Sequence, residues 1–351
     1  MSWTKELDNN IVSSDGLKEF FELSIEEETK LNEIISNYPM SITRYYLSLI
    51  NPDDKDDPIR RMCIPSIEEA SLDGEFDTSG EISNTIVTGM QHKYKQTALI
   101  LSSCLCAMYC RHCFRKRFVG ISNNEIAQKY SKMMDYIRNH EEISNVLISG
   151  GDAFINSNEN IESLLEKLIS IEHLDSIRFG TRTPVVFPQR ILDDPSLIQM
   201  LKNYNNKKQI YVITHFNHPR EFTEQSIKSI KILIDNGIVV KNQTVLLKGV
   251  NDDPKILSQL LREEVRVGIS PYYIFQCRPV KGVRNQFAVP LIEGHKIIEE
   301  TKSLQNGLGK SFRYCLSHVT GKIEIVGTFD NKMLFKYNKA KDEKDYNRIF
   351  S

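Results

Sequence analysis

TALILSSCLCAMYCRHCFRKR, residues 97–117, joins a short apolar run to a loop holding four cysteines in ten positions, with three basic residues among the four that follow Cys113. The run has strand length and stops where the polar loop begins. The same texture returns downstream in NVLISGGD (145–152), SIRFGTRTP (176–184), QIYVITHF (209–216), IVVKNQTVL (238–246) and SPYYIFQC (270–277). Helical periodicity lies between several of these runs, as at 160–171 and 224–236. Six apolar runs alternating with helices predict βα units, an α/β chain and a parallel sheet buried on both faces. Repetition on that scale fits a complete or partial (β/α) barrel, with an open doubly wound sheet as the competing arrangement. Polar or glycine-rich residues end several runs: Cys106, Gly150-Gly151-Asp152, Thr181-Arg182-Thr183 and His215-Phe216-Asn217-His218. In a barrel, that end carries the active site.

Outward from this core, residues 1–95 read as a mostly helical, polar extension. Ser24 with Glu27 three residues on marks a helix start. NPDDKDDP (51–58) reads as an acidic loop, and 70–90 as an extended loop over a surface. The core spans 96–290. A C-terminal part, 291–351, carries a helix from 291 to about 305 and the strands RYCLSH, KIEIVG and KMLFKY. The charged tail KAKDEKDYNRIFS is expected to fray. With 45 Lys and Arg against 46 Asp and Glu, the net charge of -1 speaks against a nucleic-acid surface. There is no apolar run of about 18 residues and no apolar signal-peptide core, so no membrane span and a cytoplasmic location are expected.

A reducing compartment makes four clustered cysteines a metal or redox site sooner than a disulfide set. Cys106, Cys110 and Cys113 have the spacing C-x3-C-x2-C, with Cys104 just before. Structural zinc sites pair two C-x2-C knuckles across a longer stretch, whereas here every thiol sits on one loop. Three thiolates from one loop can hold three corners of a [4Fe-4S] cube. The fourth iron is then open to an amine and a carboxylate. On spacing alone a zinc or adventitious thiol cluster stays open.

CAMYCRHCFRKRFVG resembles the cluster motif of radical S-adenosylmethionine (SAM) enzymes and, within them, the lysine 2,3-aminomutase family. The resemblance continues in order through ITRYYLSLINPDDKDDPIRRMCIP, LISGGDA, GTRTPVVFPQRI, THFNHPREFTEQS, VVKNQTVLLKGVND and SPYYIFQC. It implies a partial (β/α)6 TIM-like barrel with an N-terminal extension and a cluster on Cys106, Cys110 and Cys113, leaving Cys104 as a small buried residue. It also implies SAM held by Ser149, Gly150, Gly151, Asp152, Arg182, His215 and Asn217. The activity implied is 1,2-migration of an amino group, started when reductive cleavage of SAM yields a radical that abstracts a substrate hydrogen. An electron donor such as flavodoxin or ferredoxin goes with that chemistry. Taken singly, His215 and His218 read as capping or core histidines, and Gly-Gly-Asp as a strand-end turn.

The family also uses pyridoxal 5'-phosphate (PLP) on a lysine after the last barrel helix. Two Gly-Lys pairs offer it, Gly309-Lys310 and Gly321-Lys322, and the distance from the helix favours Lys322. The family's phosphate anchor aligns with His92-Lys93-Tyr94-Lys95-Gln96-Thr97. Lys93 keeps a charge and Tyr94 survives, but Thr97 replaces an arginine. Arg115 matches the arginine that takes the substrate's α-carboxylate. Two aspartates that hold lysine's distal ammonium are replaced by Arg278 and Cys315. A cation there would repel lysine, so an acidic or neutral amino acid such as glutamate is expected. Lys116 and Arg117 have no assigned task and read as solvated. The family's C-terminal zinc cysteines are absent, so the zinc-built oligomer is not expected, and a homodimer of another kind is left open. The alternatives are a PLP-independent radical SAM enzyme on this scaffold, of epimerase or dehydrogenase type, and a non-catalytic iron-sulfur protein.

Overall fold

The computed structural model describes residues 3–127 and 130–351. Twelve strands among them form one sheet in chain order: β1 (Thr85–Val87), β2 (Met90–Tyr94), β3 (Thr97–Ser103), β4 (Asn145–Gly150), β5 (Ser176–Gly180), β6 (Gln209–Thr214), β7 (Val239–Leu246), β8 (Ser270–Gln276), β9 (Arg313–His318), β10 (Gly321–Phe329), β11 (Lys332–Ala340) and β12 (Ile349–Phe350). From β3 to β9 every pairing is parallel. The flanking pairs, β1 through β3 and β9 through β12, are antiparallel. A doubly wound sheet reverses its strand order at a switch point. Here each strand adds beside its predecessor and the order never reverses, as in a partial barrel.

The six apolar runs are β3 to β8, and a helix follows each: Ser131–Arg138, Asn158–Ile169, Pro195–Asn205, Glu224–Asp235, Pro254–Arg266 and Leu291–Ser303. Their apolar stripes close on the outer face of the sheet. In Asn158–Ile169 the spacing of Ile161, Leu164, Leu165 and Leu168 puts four buried side chains on one side. Each such side chain contributes roughly 1.5–3 kcal/mol.

The expectation of a sheet buried on both faces fails in an informative way. In β4, β5 and β7, fully buried residues alternate with half-buried ones. The buried set (Val146, Ile148, Ile177, Phe179, Val240) meets the helices. The alternate set (Asn145, Leu147, Ser149, Arg178, Lys241, Gln243) lines the inside of the curve. That barrel is not closed by a β8–β3 pairing, so its interior is a partly open lumen rather than a filled core.

Ser24 caps the helix Ile25–Asn37 as expected: its Oγ accepts from Glu27 N and its own N–H donates to Glu27 Oε2. Two other readings are corrected. Residues 70–90 do not lie over a surface, since Ser79, Glu81 and Asn84 are buried and Glu75 bridges to Val280. The tail is not frayed either. Ile349 and Phe350 pair with Lys336 and Phe335, Phe350 packs on Phe335 and Tyr337, and Asp345 is buried and holds Arg348. Apolar residues at the very end of a charged segment are enough to dock it.

Candidate active site

The cysteine loop leaves β3 and is fastened from both sides. On one side the N-terminal extension grips it: Tyr109 N–H donates to Ser41 O (2.9 Å), Arg111 N–H to Met62 O (2.9 Å), and Asn10 Nδ2 to Ala107 O (2.8 Å). On the other side lie Gly150 and Gly151. A Cβ on Gly150 would fall 2.2 Å from Ser103 O, and one on Gly151 would fall 2.2 Å from Leu105 O. What the glycines let approach is the chain's own loop: Gly151 N–H donates to Ser103 O and Asp152 N–H to Leu105 O. Cys104 is buried, donates to Asn123 Oδ1 and packs with Leu101, Phe118, Val119 and Ile126.

Cys106, Cys110 and Cys113 are half-buried, and no cysteine is in a disulfide. Burial raises the Cys106 thiol well above its usual range, and Asp152, Cys113 and Cys110 raise it further. Cys113 is pushed up to about 11, by burial first and then by Cys110. A thiol raised in this way is deprotonated outright when it coordinates a metal ion. Among the described residues no three His, Cys, Asp or Glu side chains converge on a single ion. Three thiols on one loop are a donor set that suits an iron-sulfur cluster with one thiolate per iron.

Arg182, at the end of β5, ties this loop to the barrel. Its Nη1 donates to Cys110 Sγ (2.8 Å), its Nε to His215 O (3.1 Å), and its Nη2 to Tyr46 Oη (3.1 Å) and Glu221 Oε1 (2.6 Å). Glu221 is wholly buried and also accepts from Tyr46 Oη and from the N–H groups of Asn217 and His218. Asp152 is 3% exposed and spends its carboxylate on Thr181 Oγ1 (2.6 Å), Phe154 N (2.9 Å) and Arg182 N (2.7 Å). Asn217 holds β7 through Oδ1 to Val245 N, while its Nδ2 is buried without a partner. That orphaned donor is what a site awaiting a polar ligand shows. His215 lies beside His112, and burial followed by Arg182 pushes its imidazole down to about 3. His218 caps its own turn through Nδ1.

The basic residues after Cys113 overturn the solvated reading. Lys116 is 6% exposed and shares the buried carboxylate of Glu69 with Arg111. Arg117 bridges Glu125 (2.6 Å) and Glu81 (3.0 Å). Each cation found a buried acid, which is the condition for burying it. Arg115 is buried too: Nε and Nη2 donate to Glu81 Oε1 (3.0 and 2.8 Å), and Nη1 to Ser149 Oγ (3.1 Å) and Gly150 O (3.2 Å). Sequence reading missed Glu69, Glu81 and Glu221. The available signal was the need itself, since Arg111, Arg115, Lys116, Arg117 and Arg182, if buried, require acids from elsewhere in the chain.

Opposite the loop, Arg278 stacks 3.8 Å from the Phe114 ring centroid and donates once, to Ser79 Oγ. Among the described residues it makes no ion pair with a surface acid. Lys322 opens β10 and faces the lumen, its Nζ 3.7 Å from the Tyr273 ring centroid and 5.1 Å from that of Phe275. Burial pushes its amine down to about 7; Cys315 opposes this and Lys339, Arg178 and Arg278 add to it. Lys310 is exposed in the turn beyond Leu291–Ser303. Gly321 is required by packing, because a Cβ there would lie 2.3 Å from Lys339 O. Lys93 donates to Ser79 O (2.9 Å) and His318 O (2.5 Å), and Tyr94 lies between Lys93 and Lys339. Cys315 is buried beside Lys322, with its thiol pushed up to about 12 by burial. No helix among the described residues is long and apolar enough to cross a membrane.

Residues 100–260 match the radical SAM superfamily. The chain is 40% identical over 309 residues to the L-lysine 2,3-aminomutase of Clostridium subterminale, covering 87% of this chain and 73% of that one. It is 40% identical over 300 residues to the L-lysine 2,3-aminomutase of Methanococcus maripaludis (84% and 68% covered). It is 36% identical over 305 residues to the glutamate 2,3-aminomutase of Clostridioides difficile (86% and 71% covered).

Proposed function

Since this chain belongs to the lysine 2,3-aminomutase family of radical SAM enzymes, we propose that it shifts an amino group between adjacent carbons of an acidic amino acid, with PLP carried on Lys322. Membership of that family makes it a radical SAM enzyme of aminomutase type and implies a [4Fe-4S] cluster and SAM. The carrying observation is a convergence. Arg278 stacks on Phe114, the residue after Cys113, and acts electrostatically on Lys322. This supports a reading in which one lumen serves the cluster loop, a cation for a distal carboxylate and a buried lysine.

When bound, SAM at the cluster supplies the hydrogen-abstracting radical, and PLP supplies the conjugated system that carries the migrating amine. The residues supply position and charge. Cys106, Cys110 and Cys113 hold the cluster, and Arg182 orients Cys110 through its 2.8 Å contact. Ser149, Gly150, Gly151, Asp152, His215 and Asn217 form the wall for SAM, with Asn217 Nδ2 as its free buried donor. Lys322 holds a substantial neutral fraction near neutral pH, the form that bonds to an aldehyde. Arg278 takes the distal carboxylate. Arg115 has committed four of its five N–H donors, so it offers the α-carboxylate one hydrogen on Nη2 rather than a full fork. Lys93 and Tyr94 border the PLP side.

Reconstituted protein given dithionite, SAM and L-glutamate or L-lysine, with amino acid products separated by chromatography, tests this. We expect a β-amino acid from L-glutamate and at least about 100-fold less from L-lysine, the size of penalty set by a juxtaposed like charge. Comparable turnover of L-lysine refutes the assignment of Arg278.

A further inference from the structure

β10 and β11 pair so that Lys322 and Lys339 stand directly opposite each other. The register then slips at a bulge, and Asn338 within it accepts from Tyr273 Oη (3.0 Å). Directly opposed residues on one face have Cβ atoms about 5 Å apart, and like charges there repel. Arg178, projecting from β5 into the same lumen, is a third cation acting on both lysines. It is held by one hydrogen bond, Nη2 to Asn145 Oδ1 (2.6 Å), and its Nε is buried without a partner. Lys339 has no hydrogen bond or ion pair among the described residues, and its Nζ rests 5.7 Å from the Tyr94 ring centroid. The acid on this face of β10, Glu324, pairs with Arg313. No carboxylate is among the four groups that act most strongly on Lys322.

Arg178 and Lys339, without an acid beside them among the described residues and with an orphaned buried donor on Arg178, describe half of an ion pair whose other half is a ligand. The structure assigns Arg178 and Lys339 as a phosphate-binding pair flanking Lys322, and the phosphate it receives is the ester of PLP. This rests on the reading of Lys322 as the PLP lysine. The chemistry matches in reach, because the aldehyde and the phosphate ester of PLP sit on adjacent ring carbons. A lysine bonded to one must have its cations for the other within a side chain's length. Guanidinium and ammonium groups are the side chains that hold phosphate dianions. Arg178 is also bridged through Asn145 to Thr97, whose hydroxyl bonds Asn145 (3.2 Å), so its charge lies beside a neutral residue at the foot of β3. Closing the cross-strand pair needs Gly321, since any side chain there would drive the Lys339 carbonyl away.

The test compares PLP with pyridoxal, which lacks the phosphate, on the full-length protein. Adducts on Lys322 are followed by absorbance and counted by mass after borohydride trapping. We expect wild type to prefer PLP strongly, and Lys339→Met and Arg178→Met each to cut the ratio of PLP to pyridoxal binding about tenfold. A second measurement needs no variant and no cofactor: inorganic phosphate should shield Lys339 from amine acetylation, read by mass spectrometry. An unchanged preference in Lys339→Met, or equal loss of PLP and pyridoxal, overturns the assignment. So does a variant that keeps the preference but raises KM for L-glutamate alone, which would place the substrate's carboxylate there. If Arg178→Met does not fold, Lys339→Met and the shielding decide. Shielding of Lys339 without any adduct on Lys322 refutes the cofactor lysine and leaves the anion pair standing.

Discussion

Replacing Glu81 with glutamine should lower the melting temperature by about 4 °C. Glu81 is 7% exposed and receives Arg115 through Nε (3.0 Å) and Nη2 (2.8 Å) on one oxygen and Arg117 (3.0 Å) on the other. Arg278 acts on it as well, and these cations together hold its carboxyl below the ordinary range against the opposing effect of burial. Breaking a buried pair by removing one partner costs about 3–5 kcal/mol. Here Arg117 keeps Glu125, Arg115 keeps Ser149 and the Gly150 carbonyl, and glutamine keeps one acceptor, so the cost falls near 3 kcal/mol. At about 2.1 cal/mol/K per residue, 351 residues give an unfolding entropy of roughly 0.7 kcal/mol/K, hence the ~4 °C. Differential scanning calorimetry at low salt and at about 0.5 M salt reads it. A surface pair would be screened, whereas this loss should persist. A drop under about 1 °C, or one that disappears in salt, would mean that Glu81 does not hold the three guanidinium groups together and that Arg115 is free to serve as a full carboxylate fork.

The rate at which PLP reacts with Lys322 should rise with pH around a midpoint near 7, because burial holds the amine far below its ordinary 10.5; stopped-flow absorbance giving a midpoint above about 9 would refute this. By the same linkage, burying Lys322 costs stability most below pH 7, and Lys322→Met should be more stabilising at pH 6 than at pH 9 in paired melting curves. Gly151→Ala should reduce iron bound per chain by at least half after reconstitution, since its Cβ would lie 2.2 Å from Leu105 O and 2.9 Å from the Cys104 carbonyl carbon; full iron content would show that the loop can yield. Deleting residues 346–351 strips Phe350 from Phe335 and Tyr337 and bares the edge of β11, so light scattering should report concentration-dependent association that the intact chain lacks.

Much of the architecture was legible before any coordinates. Strand length, the alternation of apolar runs with helical stretches, and polar residues at the strand ends are local properties, and they placed β3 to β8 within a residue or two. The cysteine spacing is likewise local, because one loop carries all three thiols. Counting along the chain separated Lys322 from Lys310, and the two differ in burial as well, Lys322 lying against Tyr273 and Phe275 and Lys310 exposed. Other properties depend on distant partners. Lys116 and Arg117 read as solvated because the acids that bury them are distant in sequence: Glu69 and Glu81 arrive from more than 30 residues upstream, and only Glu125, eight residues on, is local. Gly150 and Gly151 announced a close approach, but only the fold shows that what approaches is the loop after Cys104. The docked tail shows the same limit, since a charged stretch holds its place through its last apolar pair. The sequence by itself determined the βα repeat and put three thiols on one loop. The tertiary structure alone decided which charges are paired, and therefore that Arg115 is largely spent on Glu81 while Arg178 and Lys339 have no ion pair among the described residues. Coulomb energy depends on distance in space and on burial, and neither is written in the order of residues along the chain.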